Sequence, residues 1–257
     1  MSANIIGQVT NFQTIDLSEL KNNKLLSRFD RKYVIPIDCI PEILSIAQNH
    51  YDLLSIENKV EQNYISNYFD TEEKILYQKH HNKRKNRFKV RTRDYVDSKI
   101  KFAEIKLKSK NNLTDKHRIQ IDTNTDGLFE INKLIEKYIE VPYTVKPQVS
   151  IYYKRKTLVN KTIEQRITID TDLTFSNSES EINVPHLAII EIKYAGSIQN
   201  SKTPFTHILK KHESNFSKYC IGMALLNPNL KKNNFQFILK KTINLKHVIY
   251  RSLTNNP

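Results

Sequence analysis

The 257-residue chain contains 41 Lys or Arg and 27 Asp or Glu, which gives a formal net charge of +14. This surplus predicts a polyanionic partner, such as a nucleotide, polyphosphate, nucleic acid or an anionic membrane surface. The sequence has no glycine-rich phosphate loop, no cysteine pair at metal-ligand spacing and no apolar run of signal-peptide or membrane-span length. We therefore expect a cytoplasmic protein with reduced thiols, and we exclude a P-loop enzyme and a cysteine-ligated metal site.

The predicted elements mix strands and helices without repeated βαβ units. In chain order we expect a helix at 16–21, a strand at 28–36, a helix at 38–50, strands at 62–70, 85–95, 100–108 and 116–122, a helix at 130–140, strands at 148–157, 162–170 and 187–194, and helices at 203–211 and 216–226. Residues 176–183 are predicted to form a polar loop, and 235–250 a strand or a helix. No linker divides the chain, so we expect one domain over 1–257, with a core at about 24–226 and a C-terminal extension at 227–257. The predicted class is α+β, with an antiparallel β-barrel and helices packed outside it.

Charged residues alternate with apolar ones in several predicted strands. The segments Lys89–Arg93 and Glu104–Lys108 each place charges at every second position, and Glu164–Arg166 and Glu191–Lys193 repeat the pattern. Alternate residues of a strand share a face, so each strand has one charged face and one face suited to a core. A solvated outer face is the ordinary explanation for a single strand. The repetition, and the absence of any acid from 79–93, favour instead a charged lumen that binds an anion such as phosphate.

Eight short motifs then identify a family resemblance, which covers roughly residues 24–226. In order they are Arg28–Tyr33, Tyr68–Thr71, Lys89–Arg93, Glu104–Lys106, Pro147–Arg155, Arg166–Asp172, Ile190–Lys193 and Phe216–Tyr219. The series resembles the VTC domain, the catalytic part of the vacuolar transporter chaperone polyphosphate polymerase. That domain is one of the triphosphate tunnel metalloenzymes, which also include the CYTH phosphatases.

The resemblance implies an antiparallel β-tunnel whose wall carries inward Lys, Arg and Glu side chains. The phosphate ligands that it implies are Arg28, Lys32, Arg91, Arg93, Lys106, Arg155, Arg166 and Lys218, and of these we expect Arg91, Arg93, Lys106 and Lys218 to be catalytic. Glu191 matches the family's metal ligand, for Mn²⁺ or Mg²⁺, and Lys193 should share its face. Alternation alone adds Lys89, Glu104, Lys108, Lys116, Arg118 and Glu164.

The implied activity is transfer of the γ-phosphate of ATP to a growing polyphosphate chain. Hydrolytic tunnel enzymes usually carry Glu-x-Glu-x-Lys near the N-terminus, where this chain has Arg28 and Lys32, and this departure favours the polymerase. A triphosphatase and a non-catalytic polyphosphate or nucleotide sensor remain alternatives. Nucleic acid is not expected, because no basic helix or aromatic RNA-binding signature is present. The SPX domain and membrane helices of the eukaryotic subunits have no counterpart in this sequence, which leaves a membrane partner protein open.

Two further expectations concern individual side chains. His80 and His81 lie in the basic stretch and are predicted to be exposed, whereas Tyr68 is predicted to pack in the core. Removing Arg91 or Lys106 from a like-charged lumen should relieve repulsion, so the thermal midpoint of such a variant should hold or rise.

Overall fold

The computed structural model describes residues 11–20, 28–108, 114–242 and 249–252. The chain forms two compact units, each built from three segments. Unit 1 comprises 1–62, 153–173 and 185–216, and unit 2 comprises 63–152, 174–184 and 217–257. Since each unit takes up several separate stretches of chain, this division is not a cut between two successive domains, and the expected single domain stays a prediction.

The predicted succession of elements is largely present. The strands are β1 Thr14–Asp16, β2 Arg28–Pro36, β3 Tyr51–Ser55, β4 Gln62–Asp70, β5 Arg87–Tyr95, β6 Ile100–Lys108, β7 Thr114–Ile121, β8 Lys146–Asn160, β9 Gln165–Ser176, β10 Ser180–Val184, β11 Leu187–Ala195 and β12 Ile249–Ser252. The helices are α1 Leu17–Leu20, α2 Ile40–Ala47, α3 Ile75–His81, α4 Leu128–Tyr138, α5 Thr206–Leu209, α6 Lys218–Leu226 and α7 Gln236–Thr242. Short 3₁₀ turns occupy Ile37–Cys39, Ile198–Ser201, Lys210–His212 and Asn233–Phe235.

Five elements differ from the sequence prediction. Strands β1 and β3 and helix α3 were not predicted, and β10 begins inside the segment that was expected to be a polar loop. The segment 235–250, predicted as a strand or a helix, contains α7 and the start of β12, while its residues 243–248 lie outside the described part of the chain. Each missed strand is short and gains its hydrogen bonds by pairing with another strand, which local sequence does not encode.

Unit 1 is a sheet with strand order β1–β3–β8–β9–β11–β2, in which β8 and β9 take part with the residues that belong to this unit. Antiparallel pairing places Glu191 of β11 opposite Lys32 of β2 on one side and Thr168 of β9 on the other. A buried apolar cluster, which includes Ile35, Leu44 and Phe205, packs within this unit. Directly opposite residues point to the same face, so this register groups the charged side chains of β2, β9 and β11.

Unit 2 contains the antiparallel hairpins of β4, β5, β6 and β7. The register places Arg91 opposite both Tyr68 of β4 and Glu104 of β6, and Glu104 in turn lies opposite Arg118 of β7. The other face of β5 and β6 carries Val90, Ala103 and Ile105, which pack with apolar residues of α4. The two faces predicted from alternation are therefore the observed ones: one face packs in the core, and the other carries charges.

The α+β class and the antiparallel pairing are confirmed, but the expected closed β-barrel was wrong. Closure requires the two outermost strands of a sheet to pair with each other. Among the described residues, β7 at one end pairs with β6 alone, and β12 at the other end pairs with β10 alone. Most side chains of β7 are exposed.

Within the described ranges, no helix is both long enough and apolar enough to cross a lipid bilayer.

Gly222 lies at a tightly packed point of α6, and this generates a prediction about stability. A Cβ at this position would lie 2.8 Å from Phe175 Cδ1 and 3.0 Å from Val149 Cγ2. In an open helix, Gly→Ala stabilises by about 0.5–1 kcal/mol, but overpacking typically destabilises by about 1–3 kcal/mol. We expect Gly222→Ala to lower the free energy of unfolding in a urea titration. A double-mutant cycle with Val149→Ala should show favourable coupling, and a stabilised single variant would contradict the close packing.

Candidate functional site

Predicted charged side chains cluster in each of the two units, around the buried Glu104 in unit 2 and the half-buried Glu191 in unit 1. The Arg91 cluster lies on one face of β4–β7 and at the start of α6 in unit 2. The Glu191 cluster lies on β2, β8, β9 and β11 in unit 1. The members of the Arg91 cluster are Tyr68, Lys89, Arg91, Arg93, Glu104, Lys106, Lys116 and Ser217, and those of the Glu191 cluster are Lys32, Arg155, Arg166, Thr168, Asp170, Glu191 and Lys193.

Glu104 is the centre of the Arg91 cluster. Its side chain is 2% exposed, and one carboxylate oxygen accepts hydrogen bonds from Arg91 Nε at 2.7 Å and Nη2 at 2.6 Å. The other oxygen lies 2.6 Å from Lys116 Nζ. Burial by itself would raise the pKa of Glu104, but the charges of Arg91, Arg93 and Lys116 outweigh it and lower the pKa to about 2. Glu104 is therefore a fixed negative charge that holds cations in place.

The two arginines of β5 are oriented by polar groups of β4. Arg91 Nη1 donates to the hydroxyl of Tyr68 at 2.7 Å, and Arg93 Nε donates to Ser66 Oγ at 3.3 Å. The Arg93 guanidinium also lies over the ring of Tyr64, 5.8 Å from its centroid. Contacts on several sides fix the direction of each planar fork, which is the property that bidentate phosphate binding requires.

Tyr68 was predicted to pack in the core, but packing is only part of its role. The side chain is buried and stacks on Tyr219, but its hydroxyl also accepts from Arg91. The period of two in Tyr64, Ser66 and Tyr68 could have shown that these side chains share the face of the arginines once β4 was paired with β5.

The pKa of Lys116 is lowered even though the carboxylate of Glu104 lies beside it. Burial lowers the pKa of Lys116 to about 8, with Glu104 opposing this and Arg91 and Arg93 adding to it. Lys106 is exposed and lies directly between Lys89 and Lys116 in the register. Arg91 and Lys116 thus contact Glu104, while Lys89 and Lys106 are their neighbours on the same face. An added anion would reduce the repulsion among these cations.

The start of helix α6 contributes Ser217 to this cluster. Ser217 caps the helix by accepting from Cys220 N–H at 3.3 Å, and it also accepts from Lys89 Nζ at 2.7 Å. Lys218 is half-buried at the first position of the helix. The next residue, Tyr219, donates its hydroxyl to Asp70 at 2.5 Å.

Arg118 and Lys108, which alternation alone assigned to the site, lie at its margin. Arg118 is exposed, and its guanidinium carbon lies 4.5 Å from the ring centroid of Phe102. Lys108 lies opposite Arg87 at the far end of the hairpin. Both share the charged face. Arg118 lies directly opposite Glu104, but its guanidinium lies over the ring of Phe102, whereas Lys108 is displaced from Glu104 along β6.

In unit 1, Glu191 is bound by two lysines. Lys32 Nζ lies 3.3 Å from one carboxylate oxygen and Lys193 Nζ lies 3.1 Å from the other. Burial alone would raise the pKa of Glu191, but Lys193, Lys32 and Arg155 outweigh it and hold the pKa well below its usual range. Burial lowers the pKa of Lys193, and Glu191 opposes that change. The expectation that Lys193 shares the face of Glu191 is confirmed by this contact.

The same face of unit 1 holds a second ion pair and a buried hydroxyl. Arg155 donates to both oxygens of Asp170, at 2.6 and 2.8 Å. Thr168 lies directly opposite Glu191, and its buried hydroxyl has no hydrogen-bond partner among the described residues. Arg166 lies opposite Lys193 and is half-buried. An unsatisfied buried hydroxyl beside a lysine-bound carboxylate is consistent with a position that accepts a polar ligand.

The carboxylates of the two clusters could supply only part of the coordination shell of a divalent ion. In the part of the chain that the structure describes, no three His, Cys, Asp or Glu side chains cluster as metal ligands. Glu191 offers one carboxylate, and both of its oxygens already contact lysines. Mg²⁺ and Mn²⁺ are commonly held by one or two carboxylates with substrate phosphates and water completing the shell. The residues therefore fit an ion that arrives with a phosphate ligand rather than an ion held by protein alone.

Three expectations from the sequence need comment or correction. The side chain of Arg28, at the start of β2, lies outside the described residues. Glu164 precedes β9 by one residue and is exposed, so it does not join the Glu191 cluster. His80 and His81 are not exposed: His81 is 2% exposed, and His80 is half-buried, with Nε2 2.9 Å from the carbonyl oxygen of Phe88.

The sequence analysis expected the thermal midpoint of an Arg91 variant to hold or rise, and the contacts of Arg91 reverse this expectation. Because Arg91 neutralises the buried Glu104, its removal should destabilise the fold rather than relieve repulsion. The original expectation still stands for Lys106, which is exposed.

Together these features define a protein of mixed α and β structure in which sheet faces present cations around carboxylates. The chain belongs to the VTC domain family, whose model matches residues 27–227, so the resemblance inferred from the eight motifs is confirmed. No curated protein matches the sequence significantly.

Solved structures show a similar fold at low sequence identity. A putative adenylyl cyclase from Hippeastrum, described as having a dominant triphosphatase activity, matches with a TM-score of 0.51 and 11% identity, covering 77% of this chain and 96% of that one. A conserved hypothetical protein from Pyrococcus furiosus matches with a TM-score of 0.44 and 9% identity, covering 75% and 98% of the two chains. At such identities the similarity concerns the fold alone.

The depressed pKa of Glu104 gives a pH-dependent prediction. The folded-state pKa of about 2 lies below the usual 4.5, so the ionised carboxylate stabilises the fold above pH 4.5, and this contribution is lost as the pH falls toward 2. The difference corresponds to about 3 kcal/mol. We expect Glu104→Gln to lower the free energy of unfolding by about this amount at pH 7. The difference in the free energy of unfolding between Glu104→Gln and wild type should become smaller below pH 4.5.

The measurement is denaturant unfolding at several pH values, with the exposed Glu136→Gln as the control. The control should remain within about 0.5 kcal/mol of wild type throughout. A Glu104→Gln protein as stable as wild type at pH 7 would show that the carboxylate does not hold Arg91 and Lys116.

Proposed function

We propose that this protein is a polyphosphate polymerase that transfers the γ-phosphate of ATP to a growing polyphosphate chain. The observation that carries the proposal is the surplus of cations around Glu104. In the Arg91 cluster, the charges of Arg91, Arg93 and Lys116 act on this one carboxylate, and Lys89 and Lys106 lie on the same sheet face. Such a surface suits an anion with many charges in a row better than a single phosphate.

Membership of the VTC domain family supports the same conclusion, since the resemblance implies polyphosphate synthesis from ATP. The hydrolytic Glu-x-Glu-x-Lys strand is also absent, and β2 carries Lys32 in contact with Glu191 instead. In this proposal the guanidiniums of Arg91 and Arg93 bind the phosphate oxygens of the transferred group, and their fixed orientation positions it for attack.

The reaction needs no strong general base. The attacking group is the terminal phosphate of the chain, which is already anionic at pH 7. Burial and the nearby Lys89 lower the pKa of His80 to about 2, so this imidazole is neutral and only weakly basic, as such a mechanism allows. A divalent ion bound by Glu191 would neutralise charge on the phosphate oxygens. In its absence, Lys32 and Lys193 keep the Glu191 carboxylate ionised.

A triphosphatase is the second candidate, and the fold similarity to the Hippeastrum protein with triphosphatase activity favours it. In that reaction water replaces the terminal phosphate as the nucleophile. A hydrolase would have to activate this water, so it would depend more strongly on pH than the polymerase. A sensor would bind ATP or polyphosphate and leave both unchanged.

The experiment that separates these functions is ³¹P NMR of purified protein with ATP and Mn²⁺ or Mg²⁺. We expect signal from bridging phosphates to grow as ATP is converted to ADP. The variant Arg93→Ala should lose most of the rate, while the exposed Lys133→Gln serves as the control. Accumulation of orthophosphate alone would replace the polymerase with the triphosphatase, and unchanged ATP with every divalent ion would indicate a sensor.

The role of Glu191 is testable by metal binding as well as by turnover. We expect Glu191→Gln to retain nucleotide binding and to lose metal-dependent turnover, because the amide keeps the shape but not the charge. Electron paramagnetic resonance should show wild-type protein binding Mn²⁺ tightly only with a non-hydrolysable ATP analogue, and the variant not binding it tightly.

The control for this variant is Glu213→Gln, which removes an exposed ion pair with Arg31 in the same unit. It should leave both the Mn²⁺ signal and turnover unchanged. Normal turnover by Glu191→Gln across a metal titration would remove Glu191 from the metal site.

A further inference from the structure

The turn between α3 and β5 is an exposed and wholly basic segment next to the Arg91 cluster. Lys83, Arg84 and Lys85 are consecutive and exposed. Within the described ranges none of the three has an ion-pair partner. The turn leads into Arg87, whose Nη1 donates to the Arg84 carbonyl at 2.7 Å, so the turn is fastened to the first residue of β5.

The cations of the turn continue the line of cations on β5. By alternation Arg87 shares the face of Lys89, Arg91 and Arg93, and the whole stretch 79–93 contains no acidic residue. From Arg87 to Arg93 the strand extends about 20 Å. A triphosphate is too short to reach from Arg93 to the turn, whereas a longer phosphate chain can contact both.

The backbone at Lys83 gives an independent reason to assign a role to this side chain. Helix α3 ends with bonds from Lys83 N–H to the His80 carbonyl, at 3.1 Å, and from Arg84 N–H to the Lys79 carbonyl, at 3.0 Å. This is a Schellman ending, in which the residue after the C-cap adopts a left-handed conformation and is usually Gly. Lys83 has φ +52°, which is unfavourable for a residue with a Cβ. A lysine here therefore sacrifices stability at a site where glycine would fit without strain.

We propose that the basic turn Lys83–Lys85, with Arg87, is a docking site for the distal part of a polyphosphate chain whose end is bound at the Arg91 cluster. The identity of the anion rests on the proposed function, but the binding site itself does not require turnover. The site would hold the chain between successive additions and so favour long products over short ones.

The surroundings favour an inorganic chain over nucleic acid or a membrane. Proteins that bind single-stranded nucleic acid stack bases on exposed aromatic side chains, and within 82–88 the one aromatic side chain, Phe88, is buried. Binding in a membrane interface needs exposed apolar groups beside the cations, and no exposed large apolar residue lies between 82 and 87. A chain of phosphates needs neither.

The first test compares two triple variants that lose the same charge. The site variant is Lys83→Gln with Arg84→Gln and Lys85→Gln. The control is Lys99→Gln with Lys133→Gln and Lys137→Gln, three exposed lysines on the far turn of the β5–β6 hairpin and on α4. Fluorescence anisotropy with labelled long-chain polyphosphate is measured over a salt series, with unlabelled tripolyphosphate as a competitor, and no ATP is present.

For the site variant we expect long-chain affinity to fall about tenfold, and the slope of log affinity against log salt to decrease by about 2. Tripolyphosphate affinity should change less than twofold, and the control should behave as wild type in both titrations. Equal losses of long-chain affinity in the two triple variants would show that only net charge matters, and this would overturn the docking site. So would equal losses for the long and short anions, or no binding of long chains at all.

The second test uses the strained backbone. Lys83→Gly is compared with Lys99→Gly, because Lys99 is also an exposed lysine with a positive φ, +50°. Both variants should raise the thermal midpoint, while Lys83→Gly alone should weaken long-chain binding. A lower thermal midpoint for Lys83→Gly, or equal binding losses in both, would overturn the assignment of the lysine to the ligand rather than to the fold.

The remaining outcomes separate this inference from the proposed function. Labelled single-stranded RNA and phosphatidylserine vesicles are titrated in parallel, and tighter binding of either one that is lost in the site variant would replace polyphosphate as the occupant. If NMR detects only orthophosphate while the site variant still loses long-chain affinity, the polymerase is wrong and the docking site stands. If chains form but the site variant makes chains of wild-type length with wild-type affinity, the polymerase stands and the docking site is wrong.

Discussion

Repulsion among like charges is the constraint on which this structure depends. Cations placed side by side on a sheet face destabilise the fold unless an anion lies among them. The buried Glu104 lies among the cations of unit 2 and the half-buried Glu191 among those of unit 1, and in each case the neighbouring cations hold the carboxylate ionised. Neither carboxylate neutralises its cluster completely. The remaining positive charge is what a phosphate ligand can bind.

Supporting residues fix the cations of unit 2 from outside the charged face. Asp70 is fully buried and accepts hydrogen bonds from the N–H groups of Leu76 and Tyr77 and from the hydroxyl of Tyr219. Burial raises the pKa of Asp70, while these hydrogen bonds oppose the rise. Through Tyr219, which stacks on Tyr68, the start of α6 is held against the strand that orients Arg91. Two sequence motifs that are far apart in the chain thus act on one side chain.

The sequence was sufficient to predict the two faces of β5 and β6, because a period of two determines which side chains share a face regardless of the partner strand. It was not sufficient to predict partners. That Lys116 reaches Glu104 depends on the register of β6 and β7. Helix α3 was missed because its N-terminal N–H groups are satisfied by Asp70 and Thr71, which lie four to seven residues earlier, so no local capping residue marks its start. His80 and His81 end this helix and contact Phe88 and Asn234, which explains why part of a segment that was predicted to be exposed is buried.

The carboxylates also bear on how an anion could be bound and then released. Arg91 is held by Glu104 and Tyr68 before any ligand arrives, so little side-chain entropy is lost when a phosphate binds. This arrangement lowers the affinity for the anion, because each carboxylate repels it. For a protein that must let a chain advance after each addition, a moderate affinity with fixed geometry is the better combination, because binding that is too tight would stop the chain from moving. A site for storage would gain from the opposite arrangement, with more cations and no carboxylate at the centre. The position of Glu104 between Arg91 and Lys116 therefore agrees better with catalysis than with storage.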